Sequence, residues 1–303
     1  MLSITQDITE NTKVIFDASM LDITSTIIVS QNFNDDPSRL VVISKQTPFH
    51  PVDYKWPDQP SDHGVIKVAN EKLIVKDCYV GAYNTKSKEL FIDSEIPISK
   101  NENSGWLFLV VHIADNPTGL NPANLIGEQA ILIVESKRRN EISAAHTGCH
   151  LMALALNSCL SDFWKKDFQN DSLGNPDFDQ AAIQKSIIQP CETLDVYRIG
   201  KSLRKKGFDA VRFWESIGDV SSCMTNIINR WIESNSYISL TSEGDAVNSK
   251  RSWFCELDGK KAFIPCGGTH LDSLSRFLSI KVSLDGEIEK NEFTIKTSVG
   301  VNL

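Results

Sequence analysis

The sequence predicts an α+β protein: a small N-terminal β-barrel domain over residues 1–135, then a C-terminal two-layer α/β sandwich over residues 136–303, with an antiparallel sheet and long helices. Three observations predict this. Short apolar runs between turn residues fill the first part of the chain. Near Ser136 the apolar residues change to alternate steps of three and four. Toward the end, strand alternation returns.

The apolar runs of the first part lie at 40–43, 65–68, 73–75, 90–92, 106–113 and 130–134. Pro, Gly, Asn and Asp punctuate them, which is the pattern of many short strands in a barrel or sandwich. Residues 115–122, DNPTGLNP, read as a loop. Beyond Ser136, the positions Ile142, Ala145, Cys149, Met152, Leu156, Cys159 and Phe163 mark the face of an amphipathic helix of about five turns. A second helix is expected over 219–234, with Val220, Cys223, Ile227 and Trp231 on one face. Ile280, Val282 and Leu284 then alternate, Asp285 and Gly286 turn the chain, and Phe293, Ile295, Thr297 and Val299 alternate again. The second part is therefore expected to pack two main helices on one antiparallel sheet.

A chain of 303 residues has room for two domains. No apolar run approaches the ~20 residues of a membrane helix, and MLSITQDITE lacks the basic start and apolar core of a secretory leader. The seven cysteines are odd in number, dispersed, and form no C-x-x-C, which predicts thiols in a reducing cytoplasm rather than a disulfide framework. The net charge of −8 excludes a surface that is electropositive overall. Neither DNA nor a membrane is an expected partner, and a phosphate-bearing partner needs a local basic patch.

Two short stretches carry chemistry. Residues 146–150 read HTGCH, and CGGTH follows at 266–270. His146 and His150 are four apart on the first helix, so their side chains lie one above the other. Each sits one residue past a stripe position, Ala145 or Cys149, and so flanks the packed face. The second stretch follows the apolar strand end at 262–265, and Gly267 with Gly268 allows a tight turn. Cys266 and His270 can then point the same way. Three imidazoles and a thiolate suit tetrahedral Zn²⁺. The competing reading is two histidines on a helix surface and a buried structural cysteine.

The paired motifs resemble those of the editing domains of alanyl-tRNA synthetases and of free-standing alanyl-tRNA editing proteins of the AlaX type. Threonyl-tRNA synthetase editing domains are more distant relatives. The stretch GEQAILIVESKRRNEISAAHTGCHL at 127–151, with Arg138 and Arg139, resembles the family's strand, basic pair and histidine helix. TPFHP at 47–51 and QPSDHG at 59–64 resemble the family's T-x-F-Y-P and Gly-rich Q-P-x-D-x-G stretches. Tyr54 to Asp58 stand where the family has a glycine triplet, so the backbone cannot take the same shape there. QNDSL at 169–173 resembles the family's Q-K-G-S-L run with its glycine lost, which carries Gln169 over as a catalytic candidate. The resemblance implies a zinc-dependent hydrolase, acting in trans, that removes serine or glycine from alanine tRNA. Aminoacyl-tRNA is then the substrate. Hydrolysis of another small ester or amide, or tRNA binding with structural zinc, are the alternatives.

Residues 174–218 exceed what the family carries between its motifs and read as an inserted segment. From 198 to 212 the cations Arg198, Lys201, Arg204, Lys205, Lys206 and Arg212 face only Asp209. Arg198, Lys201, Arg204, Lys205 and Lys206 are the tRNA-binding candidates. Tyr197, Phe208 and Phe213 lie among them as candidate stacking surfaces for unpaired bases. A solvated helix face is the competing reading. Gly200, Lys201 and Ser202 do not end a phosphate-binding loop, because Asp195 stands where its first glycine is required.

Overall fold

The computed structural model describes residues 1–68, 70–100, 104–116 and 118–302. The chain forms two compact units, Met1–Arg139 with Ser242–Lys250, and Asn140–Thr241 with Arg251–Leu303.

In the first unit six antiparallel strands close into a barrel. They are β1 (Asp22–Phe33), β2 (Asp36–Ser44), β3 (Gly64–Val68), β4 (Glu71–Asn84), β5 (Trp106–Asp115) and β6 (Gln129–Val134). The order is β4-β3-β6-β1-β2-β5, with β5 returning to β4. Closure pairs the edge backbone groups that an open sheet would expose. The apolar run at 40–43 is continuous because both faces of β2 are covered. Leu40 and Val42 join one core cluster, and Val41 and Ile43 join another with Ile4, Ile8 and Leu109. Strand β1 escapes the list of apolar runs because Thr24 and Thr26 alternate with buried Ile23, Ser25 and Ile27. Residues 242–250 belong here because Val247 is buried in the barrel cluster and the Asp245 carbonyl accepts from Val14 N–H at 2.8 Å. Of the expected loop at 115–122, residue 117 lies outside the described residues; Asn116 accepts from Leu120 N–H at 2.9 Å.

Helix α1 (Ser136–Cys159) begins in the first unit and runs into the second. It is buried nearly all round from Ile142 to Asn157, not on one stripe as the sequence predicts. Small residues permit this. A Cβ on Gly148 would stand 2.8 Å from a Val299 methyl, so only glycine lets the last strand lie this close to the helix.

The second unit also holds α2 (Ile217–Glu233) and two sheets where one was expected. Strands β7 (Ile183–Gln189), β8 (Glu192–Arg198), β12 (Phe277–Glu287) and β13 (Glu292–Val301) pair in the order β7-β8-β13-β12. Strands β9 (Ile238–Ser242), β10 (Arg251–Leu257) and β11 (Lys260–Pro265) form the other sheet. The segment 174–218 supplies β7 and β8, half of the larger sheet. The expected turn at Asp285 and Gly286 is also corrected. Both residues continue β12, Gly286 opposite Phe293, and the chain turns at Asn291, whose φ is 54°. A Cβ on Gly286 would meet the Trp214 ring at 2.6 Å, so this glycine serves packing rather than turning.

The expectation of thiols alone is overturned in part. Cys159 and Cys223 form a disulfide joining the end of α1 to α2, with Cα atoms 6.1 Å apart. Cys78, Cys149, Cys191, Cys255 and Cys266 remain thiols. A separation of 64 residues gives no local signal for such a pair. No helix among the described residues is long and apolar enough to cross a membrane.

Candidate metal centre

His146 and His150 project from adjacent turns of α1, and Cys266 leaves the end of β11, its N–H bonded to the Arg251 carbonyl at 3.0 Å. His270 follows four residues later. The ligand-type atoms of the four side chains all lie within 4.8 Å of one another. Cys266 Sγ is 3.4 Å from His146 Nε2 and 3.2 Å from His270 Nε2. The three imidazole centroids are 4.3 to 4.9 Å apart. Bond lengths of ~2.0–2.3 Å around a tetrahedral Zn²⁺ put neighbouring donor atoms roughly 3.3–3.8 Å apart. The donor set and its spacing therefore fit a metal ion, and the cluster can bind one.

The surroundings favour ligation. All three histidines are buried, and Cys266 is half-buried. Burial pushes His150 down to about 3, which keeps the imidazole neutral with a lone pair to give. Gly268 N–H donates to Cys266 Sγ at 3.4 Å. His270 Nδ1 lies 3.3 Å from Thr147 Oγ1. Trp253, from β10, packs edge-on to His150 at 5.1 Å and is 0% exposed. Neither Thr147 nor Trp253 was a candidate on sequence. Thr147 lies inside the first motif, whereas Trp253 has no signal beyond strand alternation.

The other candidates lie elsewhere. Gln169 is exposed in a loop where its carbonyl accepts from Asp177 N–H at 2.8 Å, and no hydrogen bond among the described residues links it to the four. Arg198, Lys201, Arg204, Lys205 and Lys206 are all exposed, on the end of β8, on a short helix, Lys201–Lys205, and at its C-cap. Arg198 faces Glu292 at 3.9 Å, and Arg204 bonds Asn291. The three candidate stacking rings are corrected. Tyr197, Phe208 and Phe213 are 0%, 3% and 0% exposed and pack with Phe178 and Phe293, so they cannot meet a base. Their spacing put rings and cations in one stretch, but strand and helix periodicity send them to opposite faces.

The family-like upstream stretches meet in the first unit around one buried ion pair. Arg139 donates to the Asp62 carboxylate through Nε, at 2.9 Å to Oδ1, and through Nη2, and it also donates to the Pro48 carbonyl at 2.6 Å. Asp62 further accepts from His50 N–H at 2.6 Å. Burial pushes His50 down to about 4, so it stays neutral here. Thr47 Oγ1 sits 2.8 Å from His112 Nε2, and Phe49 N–H donates to Thr47 at 3.1 Å. Set against protein-family models and against curated proteins, the chain matches none.

Proposed function

We propose that the chain is a zinc-dependent hydrolase that deacylates mischarged aminoacyl-tRNA, acting in trans like alanyl-tRNA editing proteins, on serine or glycine esterified to alanine tRNA. The observation that carries the reading is the convergence of HTGCH and CGGTH on one N₃S set whose three imidazoles are buried. His146, His150, Cys266 and His270 would hold the ion. When bound, zinc supplies carbonyl polarisation and a water whose pKa falls towards ~7. Buried walls, Trp253 among them, limit bulk water at the cluster and strengthen electrostatic interactions there. Four protein ligands close a tetrahedral site, so turnover requires a fifth position or one ligand that yields. The reading does not draw on Gln169, whose side chain is exposed.

RNA would be held by the exposed cations from Arg198 to Lys206. Phe168, stacked on Trp164 at 4.4 Å with Lys206 Nζ 5.2 Å from its centroid, offers the half-buried ring that the three buried ones do not. Reversing two charges, Arg204→Glu with Lys205→Glu, is expected to weaken tRNA binding. It should also reduce the slope of log K against log salt by about 2. An unchanged slope, measured by filter binding over a salt series, removes the cations from the interface.

A second reading, hydrolysis of a small ester or amide, is favoured by the net charge of −8. Metal analysis followed by deacylation of Ser-tRNA(Ala), with free small esters as controls, separates the two. Turnover of the charged tRNA alone supports the proposal. Turnover of small esters alone selects the second reading, and bound metal without turnover leaves a tRNA-binding protein with structural zinc.

A further inference from the structure

Both motifs contain a threonine that is not of the ligand type, and both threonines are buried, Thr147 at 0% and Thr269 at 1% exposure. Thr269 Oγ1 accepts from Ser143 Oγ at 2.9 Å, which ties the CGGTH turn to α1 one turn before His146. Thr147 makes the closer arrangement. Its Oγ1 lies 2.8 Å from the Ser143 carbonyl, 3.1 Å from Leu271 N and 3.3 Å from His270 Nδ1.

A hydroxyl has one proton to give and two lone pairs to receive. The Ser143 carbonyl can only accept, so the proton goes there, along the shortest contact. Leu271 N–H can only donate, so it takes one lone pair. The other lone pair faces His270 Nδ1. Two lone pairs would repel, so this contact is favourable only when Nδ1 carries a hydrogen. A neutral imidazole protonated at Nδ1 has a bare Nε2. Nε2 is the nitrogen 3.2 Å from Cys266 Sγ, on the side of the cluster.

We infer that Thr147 is a positioning residue that holds His270 in its Nδ1–H tautomer, turning Nε2 and its lone pair to the metal position. The inference rests on the metal-binding reading of the cluster. One hydroxyl thus performs three tasks: it bonds back along α1, docks the segment after CGGTH through Leu271, and fixes the ligand tautomer. Supporting groups of this kind are worth about 10–100-fold in metal affinity. Thr147→Val keeps the shape but removes the hydroxyl that faces Leu271 N–H and His270 Nδ1, whereas Thr147→Ser keeps it.

The test has two readouts. Long-range ¹H–¹⁵N correlation of ¹⁵N-labelled, metal-free wild type at pH 8 should show His270 with a protonated Nδ1 and a bare Nε2. Zinc affinity, by competition with a chromophoric chelator, should fall about 10–100-fold in Thr147→Val and stay within about threefold of wild type in Thr147→Ser. An Nε2–H tautomer in wild type, or a valine variant with undiminished affinity, overturns the inference. Should the valine variant fail to fold by circular dichroism, the wild-type tautomer still decides. Should wild type bind no zinc, the metal reading fails, and the tautomer assignment still decides the role of Thr147.

Discussion

His150→Ala and Cys266→Ala are each expected to abolish deacylation, lowering its rate at least ~10³-fold, because several kcal/mol of transition-state stabilisation are attributed to the bound ion. Zinc should be lost with the activity. Removing a ligand costs more than the ~10–100-fold that losing a supporting group costs. Cys266→Ser is the sharper control, since it keeps the volume yet replaces a thiolate by a hydroxyl that stays protonated and ligates zinc poorly. Both sites tolerate the change sterically: the alanines only remove atoms, and Cys266 is half-buried at the end of a strand. Far-UV circular dichroism should therefore match wild type. Parallel loss of zinc and turnover supports the account. Variants that retain full turnover while losing zinc would leave the cluster structural and put the chemistry elsewhere.

Asp62→Ala should produce the largest stability loss in the first unit, about 3–5 kcal/mol, because it strands a guanidinium that is 2% exposed. The charge is badly placed to stand alone. Lys137, Arg138 and Arg139 open α1 with no acidic residue in its first turn, so all three oppose the positive end of the helix dipole. Asp62 answers that charge and also receives the His50 N–H, so it fixes the TPFHP stretch, the QPSDHG stretch and the start of the metal-bearing helix together. The corresponding drop in thermal midpoint is roughly 10 °C. Replacing both partners, Asp62→Leu with Arg139→Met, should cost less than Asp62→Ala alone, since no unpaired charge remains. A double variant as unstable as the sum of its singles would show that the two side chains do not act as a pair.

What was legible in the sequence is what short-range spacing encodes. His146 and His150 had to share a helix face, and Cys266 and His270 had to leave one strand end together. The apolar runs of β2 to β6 were visible because each strand is bounded by turn residues. What stayed hidden depends on distant neighbours. Gly286 reads as a turn until Trp214 is seen against it, and nothing near Gly148 in the sequence announces Val299. Tyr197, Phe208 and Phe213 looked available because sequence proximity to lysines says nothing about which face they take. The Cys159–Cys223 bond, the strands drawn from 174–218 and the return of 242–250 to the barrel are all set by tertiary contacts. The Thr147 hydroxyl meets three partners, two of them more than 120 residues away.

X-ray absorption at the zinc edge of the purified, zinc-loaded protein tests the central claim most directly. The account predicts one zinc per chain with nitrogen scatterers at ~2.0–2.1 Å and a single sulfur at ~2.3 Å, the sulfur lost in Cys266→Ser. A shell of nitrogen and oxygen alone, or no stoichiometric zinc, would contradict it.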